Sequence, residues 1–188
     1  MRLFFEIAAV LLGLIQGMLV MLNKRSNWVF YSLQMACLTV FSLLSHLYGD
    51  MANNLFYFLL GIVGFMLWKK GRGSPIRACS CRERILYIAV ILIGTFGVCL
   101  ILRMTSDPLP LLDAFTTVSS LVATYYMLMR RLDAWGIWFI NDLAYILEYY
   151  LLPDMALYLL LLNVIWTGMA VGSFISWKSI MKKEGQTV

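Results

Sequence analysis

Apolar residues follow one another in seven long runs, which short polar stretches separate. A helical run of about 20 apolar residues is long enough to cross the hydrocarbon core of a membrane. The pattern therefore predicts an all-α integral membrane protein with seven transmembrane helices and no separate soluble domain. The predicted helices span residues 3–22, 28–47, 51–68, 85–102, 111–129, 135–152 and 154–177.

The positive charges of the chain gather on one side of this arrangement. If the seven helices alternate in direction, only Arg2 and Arg103 among the 15 Lys and Arg residues lie on the first side. Because Lys and Arg accumulate in cytoplasmic loops, the N-terminus is predicted to lie outside and the C-terminus in the cytoplasm. The net charge of +5 is then a signal of topology rather than of nucleic-acid binding. The basic loop 69–84 is expected to meet anionic lipid headgroups.

The sequence also repeats itself at an offset of 107 residues. Chemically similar residues match at this offset: Glu6 with Asp113, Lys24 with Arg131, Trp28 with Trp135, Tyr31 with Trp138, Gln34 with Asn141, and Gly61 with Gly168. The first three helices thereby map onto the last three, and the fourth helix becomes a connector. The predicted parts are a first repeat at 1–68, a basic loop with the connecting helix at 69–110, a second repeat at 111–177 and a tail at 178–188.

This three-one-three layout has a functional implication. A single connecting helix brings the chain back to its starting side, so both repeats insert with the same orientation. Parallel repeats of this kind occur in secondary transporters, which hold their substrate near the middle of the membrane between the repeats. The layout therefore favours a transporter.

Polar residues inside the predicted helices are the candidates for substrate binding, because a charged residue at the membrane centre costs about 2.5–3.5 kcal/mol. Spacings of three and four place much of the polar chemistry of the sixth helix on one face. The candidates are Trp138, Asn141, Tyr145 and Glu148 on that face, with Asp142 beside it, and Tyr31, Gln34, Asn54, Tyr57, Asn163 and Trp166 on other helices. The repeat-matched acids Glu6 and Asp113 are candidates for gating.

Such a lining suits a nucleoside-sized substrate, including a cationic one. Amides pair with hydroxyl or carboxamide groups, aromatic rings stack on a flat heterocycle and attract a cation, and carboxylates reinforce a positive charge. For Gln34, Asn54 and Asn163, hydrogen bonding to a neighbouring helix is an equally good interpretation. The tryptophans at predicted helix ends fit an interfacial aromatic belt instead: Trp28, Trp68, Trp135 and Trp177.

The sequence gives little support for an enzyme or for a metal or cofactor site. It contains no P-loop, HExxH or GxSxG motif, so no enzyme is predicted. Cys79 and Cys81 lack a second Cys/His pair for a structural zinc site, and neither metal nor cofactor is expected. Two alternatives stay open: a proton-coupled carrier that uses its membrane carboxylates, and a membrane interaction subunit without transport of its own.

The stretch WGIWFIND, from Trp135 to Asp142, follows a basic turn and a fifth helix that begins near Asp113. In this arrangement the chain resembles the PnuC-type vitamin transporters, whose typical member takes up nicotinamide riboside in bacteria. The resemblance implies a full-length SWEET-like fold, a trimer in the bacterial cytoplasmic membrane, and a site lined by Trp138, Asn141 and Tyr145. Tyr31 and Gln34 would be their partners in the first repeat.

The resemblance also implies a mechanism. By this resemblance the chain would be a facilitator like the PnuC-type transporters, in which substrate equilibrates by uniport and is trapped by cytosolic phosphorylation. Nicotinamide riboside is the first choice of substrate here, and thiamine, riboflavin and deoxynucleosides are the alternatives that the family offers.

Overall fold

The computed structural model describes residues 2–44, 48–68, 75–105, 107–151 and 157–185. Each of the seven helices in these ranges lies on one of the predicted segments, while the predicted start of the seventh at residue 154 lies outside them. The helices are α1 (Arg2–Met21), α2 (Asn27–Leu44), α3 (Tyr48–Leu67), α4 (Cys81–Leu102), α5 (Pro110–Leu128), α6 (Ala134–Leu151) and α7 (Leu157–Lys183).

Helix α4 begins four residues earlier than the hydrophobic pattern predicts. Its N-cap is Ser80, whose side chain accepts a hydrogen bond from the Glu83 amide, while the Glu83 carboxylate accepts one from the Ser80 amide. This reciprocal pair is a capping box, which satisfies two amides that a helix start leaves unpaired. The prediction followed apolar residues alone and therefore missed the polar first turn.

Helix α7 continues beyond its predicted end at Trp177 to Lys183, through most of the segment predicted as a tail. Met181 on this extension is fully buried, so the added turns still pack against the protein. Lys182 and Lys183 in the last turn interact favourably with the negative end of the helix dipole.

Among the described residues, five helices are long and apolar enough to cross a membrane: α1, α2, α4, α5 and the part of α7 from Leu160 to Lys183. A shorter apolar stretch of α3 covers Asn53–Leu67. The remaining helix, α6, carries Asn141, Asp142 and Glu148, which lower its hydropathy. Five of the eleven candidate substrate-binding residues thus lie on α6, which is not among the helices apolar enough to cross a membrane by composition.

The chain forms two compact units, Met1–Ser74 and Pro75–Val188. In the first unit, α2 packs against both α1 and α3. In the second unit, α6 packs against both α5 and α7, and α4 packs against α5. The middle helix of each triplet therefore has neighbours on two sides, which is where a buried polar side chain can find partners.

The turn after the first helix of each triplet has the same backbone. Asn23 and Arg130, which are 107 residues apart, both have a φ of 53° and are the non-glycine residues with positive φ in the described chain. In each turn the amide of the next residue bonds to the carbonyl five positions earlier, at 2.9 and 2.8 Å respectively. This hydrogen bond is typical of a Schellman motif, which usually has glycine at the left-handed position. Asn23 and Arg130 are exceptions to this preference for glycine, and their separation by the repeat offset agrees with the predicted repeat.

The four tryptophans predicted to form an interfacial belt are buried instead. Trp28 and Trp68 pack edge to face with ring centroids 5.5 Å apart, and Trp135 and Trp177 do the same at 5.1 Å. Their exposure is 5% or less. A Cβ built on Gly64 would lie 2.2 Å from the Trp28 ring, so that glycine is what admits the indole. The belt prediction was wrong because position at a helix end does not show which way a side chain points.

Candidate substrate-binding site

The polar face of α6 lies against α5. Asn141 is fully buried, and its Oδ1 accepts a hydrogen bond from the Ser119 hydroxyl at 2.8 Å. Ser119 is itself fully buried on α5. The pair therefore forms a polar contact between two helices at a depth where neither side chain meets solvent.

This contact leaves part of the Asn141 amide without a partner. Its Nδ2, with two N–H donors, has no hydrogen bond in the described part of the chain. The Ser119 hydroxyl has one proton, and the Phe115 carbonyl 2.6 Å away competes for it. A buried amide that is half satisfied costs about 1–3 kcal/mol, so a bound solute that accepts from Nδ2 would recover that energy.

Asp142, next in sequence, is 5% exposed. No described residue donates a hydrogen bond to its carboxyl group or pairs with it as a cation. Carboxylates within membrane helices are rare and usually belong to ion or substrate pathways. Asn141 and Asp142 together therefore present a buried donor and a buried acid on adjacent faces of one helix.

The aromatic candidates of α6 flank this pair along the helix. The Tyr145 and Tyr149 rings stack with centroids 5.7 Å apart and an angle of 10° between their planes. Trp138 is half-buried and packs against the apolar cluster of Ile91, Ala123 and Ile137. Cluster and stack hold two rings in place, each about one turn of α6 away from Asn141 along the helix.

Two further acids, Glu148 on α6 and Asp113 on α5, lie near hydroxyls of α5. Glu148 Oε2 lies 3.5 Å from Thr116 Oγ1, which is a weak contact, and Asp113 Oδ1 accepts from Thr117 at 3.3 Å. Glu6, the other predicted gating residue, is exposed on α1. Gating by Glu6 and Asp113 stays a prediction.

The candidates in the first unit also meet one another. The Tyr31 and Tyr57 rings pack edge to face at 6.4 Å, and Asn54 Nδ2 donates to Ser42 Oγ at 3.2 Å. A Cβ built on Gly13 of α1 would lie 2.5 Å from Nε2 of Gln34. The Gln34 amide therefore rests on the first helix of its triplet, as the matched Asn141 amide rests on α5.

The candidates on α7 are placed less closely. Asn163 is buried and Trp166 is half-buried, and the Asn141 amide bonds to neither of them. The sequence analysis missed Ser119 and Thr116, both fully buried. Their spacing of three along α5 was the signal that could have identified this face.

A network at the start of α6 fixes that helix to α4 and to the segment before it. The Asp133 carboxylate accepts from Arg84 Nε and from the Cys79 amide, both at 2.7 Å. Arg131, which is nearly buried, pairs with Glu83. Two ion pairs therefore hold the short segment that leads directly into the helix of the candidate site.

The family of the chain follows from its sequence profile. The profile described as nicotinamide mononucleotide transporter matches residues 3–179. The chain belongs to this family. As a member of the nicotinamide mononucleotide transporter family it is an integral membrane transporter and not an enzyme, as predicted, and the predicted PnuC-type resemblance is confirmed.

Two relatives and one solved structure are similar to the chain over much of its length. The nicotinamide riboside transporter PnuC of Neisseria mucosa is 26% identical, over 93% of this chain and 72% of the relative. The riboflavin/roseoflavin transporter RibM of Streptomyces davaonensis is 25% identical, over 64% of this chain and 61% of the relative. The crystal structure of the vitamin B3 transporter PnuC matches with a TM-score of 0.78 and 25% identity, over 96% of this chain and 83% of that one.

Proposed function

We propose that this family member carries nicotinamide riboside across the bacterial cytoplasmic membrane. The observation that carries the proposal is the adjacent pair on α6. The buried Asn141 amide has an Nδ2 without a hydrogen bond in the described part of the chain, and the buried Asp142 carboxyl beside it has no cation partner among the described residues. Similarity to the riboside transporter PnuC supports the choice of substrate.

The chemistry of nicotinamide riboside complements this pair. Its pyridinium ring is a flat cation, which Asp142 attracts and which the faces of Trp138 and Tyr145 can stack on. Its carboxamide oxygen and ribose hydroxyls are acceptors for Asn141 Nδ2. A buried site that leaves such donors unpaired without substrate discriminates strongly against solutes that lack the matching group.

The proposal includes the predicted three-one-three layout with two parallel repeats, the arrangement described above as full-length SWEET-like. Three structural observations support it: α1 to α3 form a unit of their own, the two Schellman turns match at the repeat offset, and each triplet has a buried tryptophan pair. Tyr31, Gln34, Asn54 and Tyr57 of the first unit, and Asn163 and Trp166 of α7, remain proposed substrate-binding residues.

The proposed mechanism is uniport followed by trapping through cytosolic phosphorylation, in a trimer, as the family resemblance implies. The competing mechanism is proton coupling through Asp142, Glu148, Asp113 or Glu6. Native mass spectrometry of the purified protein measures the oligomeric state, and a pH gradient across vesicles separates the two mechanisms.

The proposed orientation predicts how two cysteines react. Cys81 is exposed at the first turn of α4, whereas Cys79 is buried. Burial, reinforced by the carboxylates of Asp133 and Glu83, raises the pKa of the Cys79 thiol to about 12. Because the thiolate is the reactive form, Cys79 should stay unmodified at about pH 7. We expect a membrane-impermeant maleimide to label Cys81 only after cells are permeabilised.

Single-cysteine variants separate the two positions. C37S/C79S/C99S retains only Cys81, and C37S/C81S/C99S retains only Cys79. Labelling of the Cys81 variant in intact cells would place the start of α4 outside and reverse the proposed orientation.

The function is tested with purified protein in liposomes. We expect entry of radiolabelled nicotinamide riboside down its gradient, competition by unlabelled riboside, and weaker competition by thiamine, riboflavin, deoxynucleosides or simple sugars. Trp138→Ala should reduce uptake by about tenfold, since aromatic stacking and cation–π attraction together contribute about 1–2 kcal/mol.

The control for this experiment is an imposed pH gradient without a substrate gradient. Uniport predicts no net accumulation under this condition, whereas proton coupling predicts accumulation. Preferred entry of riboflavin would move the assignment towards the RibM relative. Folded protein that moves none of these solutes would instead favour the interaction-subunit alternative.

A further inference from the structure

The second unit contains a cavity of about 420 Å³ that the candidate site does not use. Side chains of α4, α5, α6 and α7 line it, and most of them are apolar, among them Ile88, Leu92, Ile140 and Phe174. Leu92 and Ile140 are 64% and 57% exposed, so the cavity opens onto the outer surface of the helices. We call it the α4–α6 groove. Its volume lies within the range of about 300–1,000 Å³ that is usual for ligand pockets.

In an integral membrane protein this groove faces lipid. An empty apolar groove forfeits dispersion contacts on one side, and water gains few hydrogen bonds in it. An acyl chain supplies those contacts, and it has no polar group that would lose hydrogen bonds on entering the groove. The lining therefore favours a hydrocarbon chain over a polar solute.

The end of the groove nearest the start of α4 is charged. Arg84 lines it, and its side chain is 50% exposed although its Nε bonds to Asp133. Lys178 lies over the ring of Phe174, another lining residue, with Nζ 5.8 Å from the ring centroid. The Asp133 carboxylate is already engaged by Arg84 and the Cys79 amide. Two cations against one bonded carboxylate leave this end complementary to a phosphate.

We propose that the α4–α6 groove binds an anionic phospholipid, with one acyl chain along the groove and the phosphate at Arg84 and Lys178. The proposed orientation places this lipid in the cytoplasmic leaflet, where anionic headgroups attract basic residues. The lipid site goes beyond substrate transport, and it can be tested without any substrate.

The groove also reaches the candidate substrate-binding site from behind. Ser119 lines its wall and donates to Asn141. A chain in the groove therefore packs against the residue that orients the site amide. Ser119 therefore links lipid binding in the groove to the position of the Asn141 amide.

The chain offers a matched pair of variants for the test. Gly136 lines the groove, and a Cβ built on it meets nothing within 4 Å, so Gly136→Leu fills the groove without a clash at Cβ. Gly97 on α4 has the same open surroundings but does not line the groove, which makes Gly97→Leu the control. Lys178→Gln removes one cation without entering the groove.

Native mass spectrometry and thermal unfolding in nanodiscs of phosphatidylglycerol or phosphatidylcholine give the measurement. We expect the parent protein and Gly97→Leu to retain phosphatidylglycerol selectively and to unfold at a higher temperature in it. Gly136→Leu should lose the retained lipid, and Lys178→Gln should lower the preference for phosphatidylglycerol about fivefold.

Three results would overturn the proposal. The first is equal retention of both lipids by the parent protein. The second is undiminished retention by Gly136→Leu together with an unchanged preference in Lys178→Gln. The third is a change of oligomeric state in Gly136→Leu without loss of lipid, which would make a second copy of the chain the occupant. If Gly136→Leu does not fold, the preference measured for Lys178→Gln decides the outcome.

Discussion

Asn141→Ala is expected to weaken nicotinamide riboside binding by about 10- to 100-fold. The amide Nδ2 has no partner among the described residues, so substrate is its natural acceptor. Removing it leaves a substrate oxygen unpaired in a buried site, at a cost of about 1–3 kcal/mol, and each 1.4 kcal/mol is a factor of ten in affinity. Titration of radiolabelled nicotinamide riboside onto purified protein measures the change.

The variant should still fold, because Ser119 keeps an acceptor in its own helix, the Phe115 carbonyl 2.6 Å away. Thr124→Ala is the matched control. Thr124 lies on α5 and, like Asn141, is fully buried, but its hydroxyl donates to the Ser120 carbonyl of its own helix. We expect less than a twofold change in affinity for it. Equal affinities in Asn141→Ala and the parent protein would remove Asn141 from the site.

Glu83→Gln is expected to lower the free energy of unfolding by about 1.5–3 kcal/mol. The Arg131 side chain is only 9% exposed, and Glu83 neutralises it. Hydrogen bonds to charged groups contribute about that much. Because Glu83 is 31% exposed, the larger loss of stability that follows the breaking of a fully buried ion pair does not apply. Glutamine can still close the capping box with Ser80, so the variant isolates the charge. Thermal or denaturant unfolding in detergent measures the loss.

Glu184→Gln makes the same change at an exposed position. Glu184 Oε2 accepts from the Ile76 amide at 3.3 Å, and a glutamine oxygen can replace it. Glu184 also attracts the half-buried Arg130, but pairs with an exposed partner contribute at most about 1 kcal/mol, so we expect a smaller loss than in Glu83→Gln. Similar losses in the two variants would mean that Arg131 does not depend on its partner.

The helices could be predicted because membrane spans depend on long apolar runs, which the sequence shows directly. Errors arose where another interaction sets the boundary: Ser80 and Glu83 start α4 with polar residues, and buried Met181 extends α7. Neither interaction lengthens the run of apolar residues from which the helix was predicted. The capping box of Ser80 and Glu83 could have been recognised from the sequence, whereas the burial of Met181 depends on packing that the sequence does not show.

The candidate site was predictable only in part. Spacing along α6 identified Asn141 and Asp142, because helical periodicity fixes which residues share a face. It could not identify Ser119 as the partner of Asn141, since rotation of α5 about its axis is decided by packing between helices. For the same reason it assigned Trp28 and Trp135 to an interfacial aromatic belt, whereas the structure buries both.

The two Schellman turns share a backbone but are fastened by different forces. Arg25 secures the first turn through the Phe65 carbonyl at 2.8 Å and the Phe65 ring at 3.7 Å. Ion pairs with Glu83 and Arg84 secure the second. Salt screens the pair of the half-exposed Arg84 with Asp133 more than it screens the pair of the buried Arg131 with Glu83. The contact of Arg25 with a ring and a carbonyl depends on salt less than an exposed ion pair does. Ionic strength therefore acts more on the second turn than on the first, and mainly through one of its two ion pairs.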